Sequence, residues 1–201
     1  MECTLAPCYP LRPSIVGRKM FLFLSKENFL LAGLCLGFAC ATKQYGMMVA
    51  LVTGIWTFVH YGKEKFGRLT LFSIISFLPL MLPFLIWDFE SFYQMTVKVP
   101  LSMNFRTDSF NIVAILWREF NIRPGAFLYT FMPFFGLIGS FFLIKKYRYQ
   151  KFLGLTYSLV LFFSLIFFFG KQAFCNYYYF LAIFVLLSFF FQHFYLKTKL
   201  N

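Results

Sequence analysis

FLGLTYSLVLFFSLIFFF, residues 152–169, is a run of eighteen residues without one charge. A helix rises about 1.5 Å per residue, so this run reaches about 27 Å, close to the roughly 30 Å of a bilayer's hydrocarbon core. A water-soluble helix buries one stripe and wets the other, whereas this segment is apolar on every side. The reading is a helix that crosses a membrane.

Five more apolar runs surround it, at 29–42, 45–61, 69–87, 127–144 and 177–194. Together they predict an all-α, polytopic transmembrane bundle of about six spans. The first run is short, so 29–42 and 45–61 are either two spans or the arms of a re-entrant hairpin broken at Lys43-Gln44. Such a break is tolerated in a membrane where protein or a water-filled cavity surrounds it. The organisation that follows is an irregular cytoplasmic segment over 1–28, a membrane domain over 29–194 with a long outer loop at 88–126, and a cytoplasmic tail at 195–201.

Composition agrees. The chain is 60% hydrophobic, 24% aromatic and only 13% charged, with 33 Phe and a mean hydropathy of +0.71. A soluble domain carries about 25% charged residues, so no aqueous surface exists on which to place this much Phe and Leu. The net charge of +12 sits in short clusters between apolar runs rather than in a nucleic-acid-binding motif, and nucleic acid is not an expected partner. Cys3, Cys8, Cys35, Cys40 and Cys175 include no C-x-x-C pair and read as small core hydrophobes rather than metal ligands. No signal peptide is read at the N-terminus, where Pro10 and Pro13 indicate a loop.

Orientation follows from the cations. With six spans and an inner N-terminus, the inner segments hold thirteen: Arg12, Arg18, Lys19, Lys26, Lys63, Lys65, Arg68, Lys145, Lys146, Arg148, Lys151, Lys197 and Lys199. The outer segments hold six: Lys43, Lys98, Arg106, Arg118, Arg123 and Lys171. That asymmetry places both termini in the cytosol. Trp87 and Tyr177–Tyr179 then fall at the outer interface, and Tyr147 and Tyr149 at the inner one. The absence of an N-x-[ST] sequon is in keeping with a bacterial plasma membrane.

Within the spans, Gly33, Gly37 and Ala41 recur every fourth residue, a small-residue stripe that lets a second helix approach closely, within the chain or in a dimer. Pro79 and Pro83 are expected to kink the third span and Pro133 the fourth. The outer loop repeats apolar residues at helical spacing, Phe89, Phe92, Tyr93 and Thr96, then Ile112, Ile115, Leu116 and Phe120. These predict two amphipathic interfacial helices, either a solvated connector or a lid over an outward-facing site.

Two Lys-Gln pairs stand at the outer ends of apolar helices, Lys43-Gln44 and Lys171-Gln172, the second followed by Asn176 and three tyrosines. A lone lysine there can simply snorkel to the headgroups. Two such pairs on one side suit a site, where the ammonium holds the phosphate of a lipid carrier as a point charge and Gln, Asn and Tyr bond sugar hydroxyls.

Three segments in order carry a resemblance. LAGLCLGFACATKQY at 31–45, FRTDS at 105–109 and GKQAFCNYYY at 170–179 resemble motifs of the bacterial GT-C-type multi-pass glycosyltransferases, over roughly 29–194. That family moves a sugar from a polyprenyl-phosphate donor to an acceptor outside the membrane, with inversion and a carboxylate base. The resemblance implies a donor pocket formed by Lys43, Gln44, Arg106, Lys171, Gln172 and Asn176. Asp108 is the candidate base, or else the partner of Arg106 in ordering the loop. A divalent metal would stabilise the leaving phosphate, but no ligand set is visible and no cofactor is identifiable. The family's key acid lies in an outer loop after its first span, and nothing upstream of Phe29 supplies one. The resemblance therefore implies the C-terminal portion of such an enzyme, needing a missing N-terminal half or a partner subunit. Two other classes stay open, a non-catalytic membrane subunit or scaffold and a small transporter.

Overall fold

The computed structural model describes residues 15–102, 109, 111–121, 126–170 and 175–200. Every ordered element among them is helical. In order these are α1 (Ile15–Ser25), α2 (Phe29–Thr42), α3 (Gln44–Trp87), α4 (Phe89–Tyr93), a π-helical turn (Gln94–Lys98), α5 (Val99–Ser102), α6 (Ile112–Phe120), α7 (Ala126–Lys146), α8 (Lys151–Phe169) and α9 (Cys175–Leu200). Within the segment 1–28 read as irregular, α1 is thus a helix, and its Met20, Phe21 and Leu24 are buried.

Among the described residues, two helices are long and apolar enough to cross a membrane, Tyr45–Trp87 and Lys151–Phe169, while Phe29–Thr42 and Tyr177–His193 are shorter apolar helices. The first contains two of the six expected spans, because α3 is not one rod. Gly62 has φ 77° and ψ −177°, far from helical values. Only glycine adopts those torsions without strain. The chain folds back there. In a straight helix twelve residues would separate Gly54 from Phe66 by about 18 Å, yet a Cβ built on Gly54 would lie 3.2 Å from the Phe66 ring. Phe58 and Phe66 meet edge to face at 5.8 Å. The arms, 44–61 and 63–87, form an antiparallel hairpin.

The break at Lys43 falls where the sequence suggested, with φ −152° and ψ 143° between α2 and α3. Beyond it α3 runs back along α2, and Phe29 at the start of α2 reaches Tyr61 at 4.9 Å. The Gly33/Gly37 stripe packs within the chain, on the second arm of α3. A Cβ on Gly33 would stand 2.6 Å from the Leu69 carbonyl oxygen, and one on Gly37 would collide with Ser73 and Ser76. The Ser76 hydroxyl donates to the Leu34 carbonyl at 2.9 Å across the same contact. Pro79, Pro83 and Pro133 lie inside their helices, and the residue of α3 that leaves helical torsions is Gly62, none of the prolines.

A second close contact joins α7 and α8. Ser140 and Ser158 each donate to the other's carbonyl oxygen at 3.0 Å. Gly136 and Gly139 are pressed against Phe162 and Leu161. At the centre, α8 buries Leu155, Leu159, Phe162, Phe163 and Phe167. The Trp56 indole, itself fully buried, donates to the Lys151 carbonyl at 2.7 Å and so ties the first arm of α3 to the start of α8.

Between residues 88 and 126, α6 is amphipathic, as the spacing of its apolar residues suggested. Val113 and Ala114 are buried, whereas Ile112, Ile115 and Phe120 point outward. The Asp88 carboxylate caps α4 by accepting from the Ser91 backbone N–H at 3.0 Å. Hydrogen bonds from Ser91 hold the Asp88 carboxyl below its ordinary range, because they favour the charged form.

Candidate functional site

The break at Lys43 and the residues that bracket the second Lys-Gln pair, Gly170 and Cys175, lie at one end of the helices, and Tyr45 is the residue that joins them. It stands two positions after Lys43, and its ring enters the junction of α8 and α9. Ring centroids are 5.5 Å from Phe167 and 5.1 Å from Tyr177, both edge to face. Since Tyr177 immediately follows Asn176, the α2–α3 turn and the α8–α9 turn face each other across one aromatic cluster, which Phe163 and Phe180 complete at 6.3 Å and 6.2 Å.

The start of α6 reaches the same place. Asn111, 1% exposed, uses both ends of its amide. Its Oδ1 accepts from the Ala114 backbone N–H at 2.7 Å, which caps α6, and its Nδ2 donates to the Gly170 carbonyl at 2.7 Å. Gly170 opens the second Lys-Gln turn, and Ser109, the last residue of the FRTDS segment, is buried beside Asn111 in sequence. The three segments singled out in the sequence, 31–45, 105–109 and 170–179, therefore have described residues at this one end.

Of the expected site residues, Lys43 is exposed at the C-terminus of α2, and it makes no ion pair among the described residues. A cation there meets the negative end of the α2 dipole, a favourable placement with or without a ligand. Gln44 begins α3 and Asn176 lies in the first turn of α9; their side chains are outside the described set, as are Arg106, Asp108, Lys171 and Gln172. The starts of α3, α6 and α9 all lie at this end. Helix N-termini present unsatisfied N–H groups and the positive end of a dipole, which suits an anion. Among the described residues no three of His, Cys, Asp and Glu gather as metal ligands.

Sequence reading passed over Asn111 and Tyr45 as site-forming residues. Asn before an apolar helical run is a helix-cap signal, and that signal marks Asn111 as the start of α6; its second bond, to Gly170, belongs to the tertiary structure alone. The Gly136/Ser140 and Gly154/Ser158 pairs carry the same four-residue spacing as Gly33/Gly37 and were legible by the same rule.

No protein-family model matches the chain, and no curated protein or solved structure matches it either.

Proposed function

We propose that this chain is the membrane-embedded part of a glycosyltransferase, which binds a polyprenyl-phosphate sugar where the α2–α3 and α8–α9 turns converge. The membrane reading is supported by the two helices of spanning length and apolarity. The fold at Gly62 turns the longer of these into two arms of membrane-scale length. Large apolar side chains face outward along the helices, among them Trp87 at 89% exposure and Leu186 at 68%. Water would penalise that surface, and hydrocarbon accepts it. The full reading is a bundle of about six spans with both termini cytosolic, so that Lys43 faces the other side.

The observation that carries the function is the Tyr45–Tyr177 junction, which puts Lys43, the start of α9 and the Asn111-anchored loop on one surface. In this reading Lys43 and Lys171 attract the donor phosphate, three helix starts reinforce the field, and Gln44, Gln172 and Asn176 bond sugar hydroxyls. Asp108 and Arg106 act from the loop.

The test is sugar transfer from a polyprenyl-phosphate donor in proteoliposomes, with and without a second polypeptide that carries an acidic outer loop. Lys43→Ala combined with Lys171→Ala should lower donor capture by one to two orders of magnitude, at about 1.4 kcal/mol per tenfold. Donor capture indifferent to that double change ends the proposal. A second reading, a non-catalytic subunit, is favoured by the outward apolar face of α9, where Leu186, Phe189 and Phe190 are exposed; co-purification of a stoichiometric partner through that face, with no transfer by any reconstituted form, would establish it.

A further inference from the structure

An apolar groove of about 1000 Å³ runs between α2, the two arms of α3 and α7, walled by Met47, Leu51, Phe58, Phe66, Phe141 and other residues of the same kind. Met47 and Leu51 in its wall are each 55% exposed. The groove lies outside the site at the Lys43 end, and nothing in the proposed transfer uses it. The Ser73 hydroxyl in its wall is spent on the Leu69 carbonyl at 2.7 Å, and the Ser73 carbonyl accepts from the Ser76 hydroxyl at 3.2 Å. Apart from the Thr70 hydroxyl and the Cys40 thiol, such a groove offers little to water or a sugar. It suits a hydrocarbon chain.

Length and charge narrow the choice. From Met47 to Val59 the wall extends about 18 Å at the helical rise, close to the roughly 15 Å depth of one leaflet, half the hydrocarbon core. That fits one acyl chain better than a long prenyl tail. Among the described residues, cations cluster at the Gly62 end of the groove, against the single Lys43 near Cys40 and Met47 at the other end. The Lys145 ammonium sits 4.4 Å over the ring of Phe141, a wall residue. Lys63 precedes Phe66, another wall residue, by one turn. Of the acids at this end, Glu64 is paired with Arg68 at 2.7 Å and Glu27 faces Tyr61, and neither Lys63 nor Lys145 makes an ion pair among the described residues. This is also the basic end of the chain, the one that meets the anionic cytoplasmic leaflet.

We propose that the groove seats one acyl chain of an anionic glycerophospholipid, with its phosphate held between Lys63 and Lys145. The inference rests on the membrane reading but on neither the transfer reaction nor its donor. Bound there, the lipid fills the hairpin's open side and fastens α7 to α3 at the cytosolic face.

The experiment is native mass spectrometry of the full chain, extracted in mild detergent from membranes that contain anionic and zwitterionic phospholipids. One anionic phospholipid per chain should survive extraction. Lys63→Gln with Lys145→Gln should lower its retention by roughly fivefold per lysine; both side chains are exposed, so the fold should tolerate their loss. Leu51→Trp, which fills the groove and leaves the lysines in place, should displace the lipid too. Equal retention of zwitterionic lipid, retention of a polyprenyl phosphate instead, or anionic retention unaffected by either change overturns the seat. Alkaline carbonate separates the two levels: release of the chain from membranes defeats the membrane reading, while a chain that stays embedded without anionic preference defeats the lipid seat alone.

Discussion

Three glycines of this chain look alike in the sequence and differ in what a methyl group would meet. Gly62 has open space around it, with nothing within 4 Å of a built Cβ, but a positive φ of 77°. Gly37 is helical and jammed against Ser73 and Ser76, and Gly67 is helical with open space. Gly62→Ala should therefore act through backbone strain alone, at about 1–3 kcal/mol, and should loosen the α3 hairpin rather than disturb packing. Thermal unfolding in mild detergent measures it. A change within a few tenths of Gly67→Ala would mean that the fold-back does not depend on glycine torsions. Asn111 belongs to the same scale, since one amide both starts α6 and holds Gly170.

Among elements, the decisive contacts are close approaches of helices through small residues. Lipid offers no hydrophobic drive for helices to associate, so van der Waals fit and short polar links carry the contact. The α2 stripe does this against the second arm of α3, and the Ser140–Ser158 exchange does it between α7 and α8. Gly37→Ala inserts a methyl where backbone atoms already touch and should destabilise by about 1–3 kcal/mol. Gly67→Ala, on the open side of the same hairpin, should be neutral or slightly stabilising because alanine is the better helix former. Equal effects from the two changes in a detergent unfolding titration would refute the packing account. Elements also reveal a limit of periodicity. The spacing of Ile112, Ile115 and Phe120 correctly signalled an amphipathic α6, but not which side the protein would cover. The protein covers Val113 and Ala114, and the larger apolar residues are turned outward, as on a helix lying against lipid.

For the molecule as a whole, the helix hairpins set two opposite ends. One carries the Lys43 turn and Gly170; the other carries Gly62 and the 147–150 turn, where Tyr149 is 94% exposed. If the bundle crosses a membrane, single cysteines introduced by Lys43→Cys and Tyr149→Cys, in a background with the native cysteines replaced, should be labelled by an impermeant thiol reagent from opposite faces. Position 43 should react from outside intact cells and position 149 only after permeabilisation. Labelling of both from the same face would contradict the proposed topology.

Sequence alone determined that the chain is helical and rich in long apolar runs, because periodicity and composition are local properties of the chain. It also located the break at Lys43 and the close-packing character of Gly33 and Gly37, since both follow from residue type and spacing. It expected about six spans, with 29–61 as two of them or a re-entrant hairpin, and an irregular segment over 1–28; among the described residues the structure has two helices of spanning length, one folded at Gly62, and a helix at Ile15–Ser25. Tertiary structure alone decided which helix the glycine stripe meets, which face of α6 turns inward, and that Tyr45 brings two turns 132 residues of chain apart (45 to 177) to a ring distance of 5.1 Å. Such pairings depend on how finished helices fit together. Spacing along a single helix cannot encode a partner that lies far away in the chain.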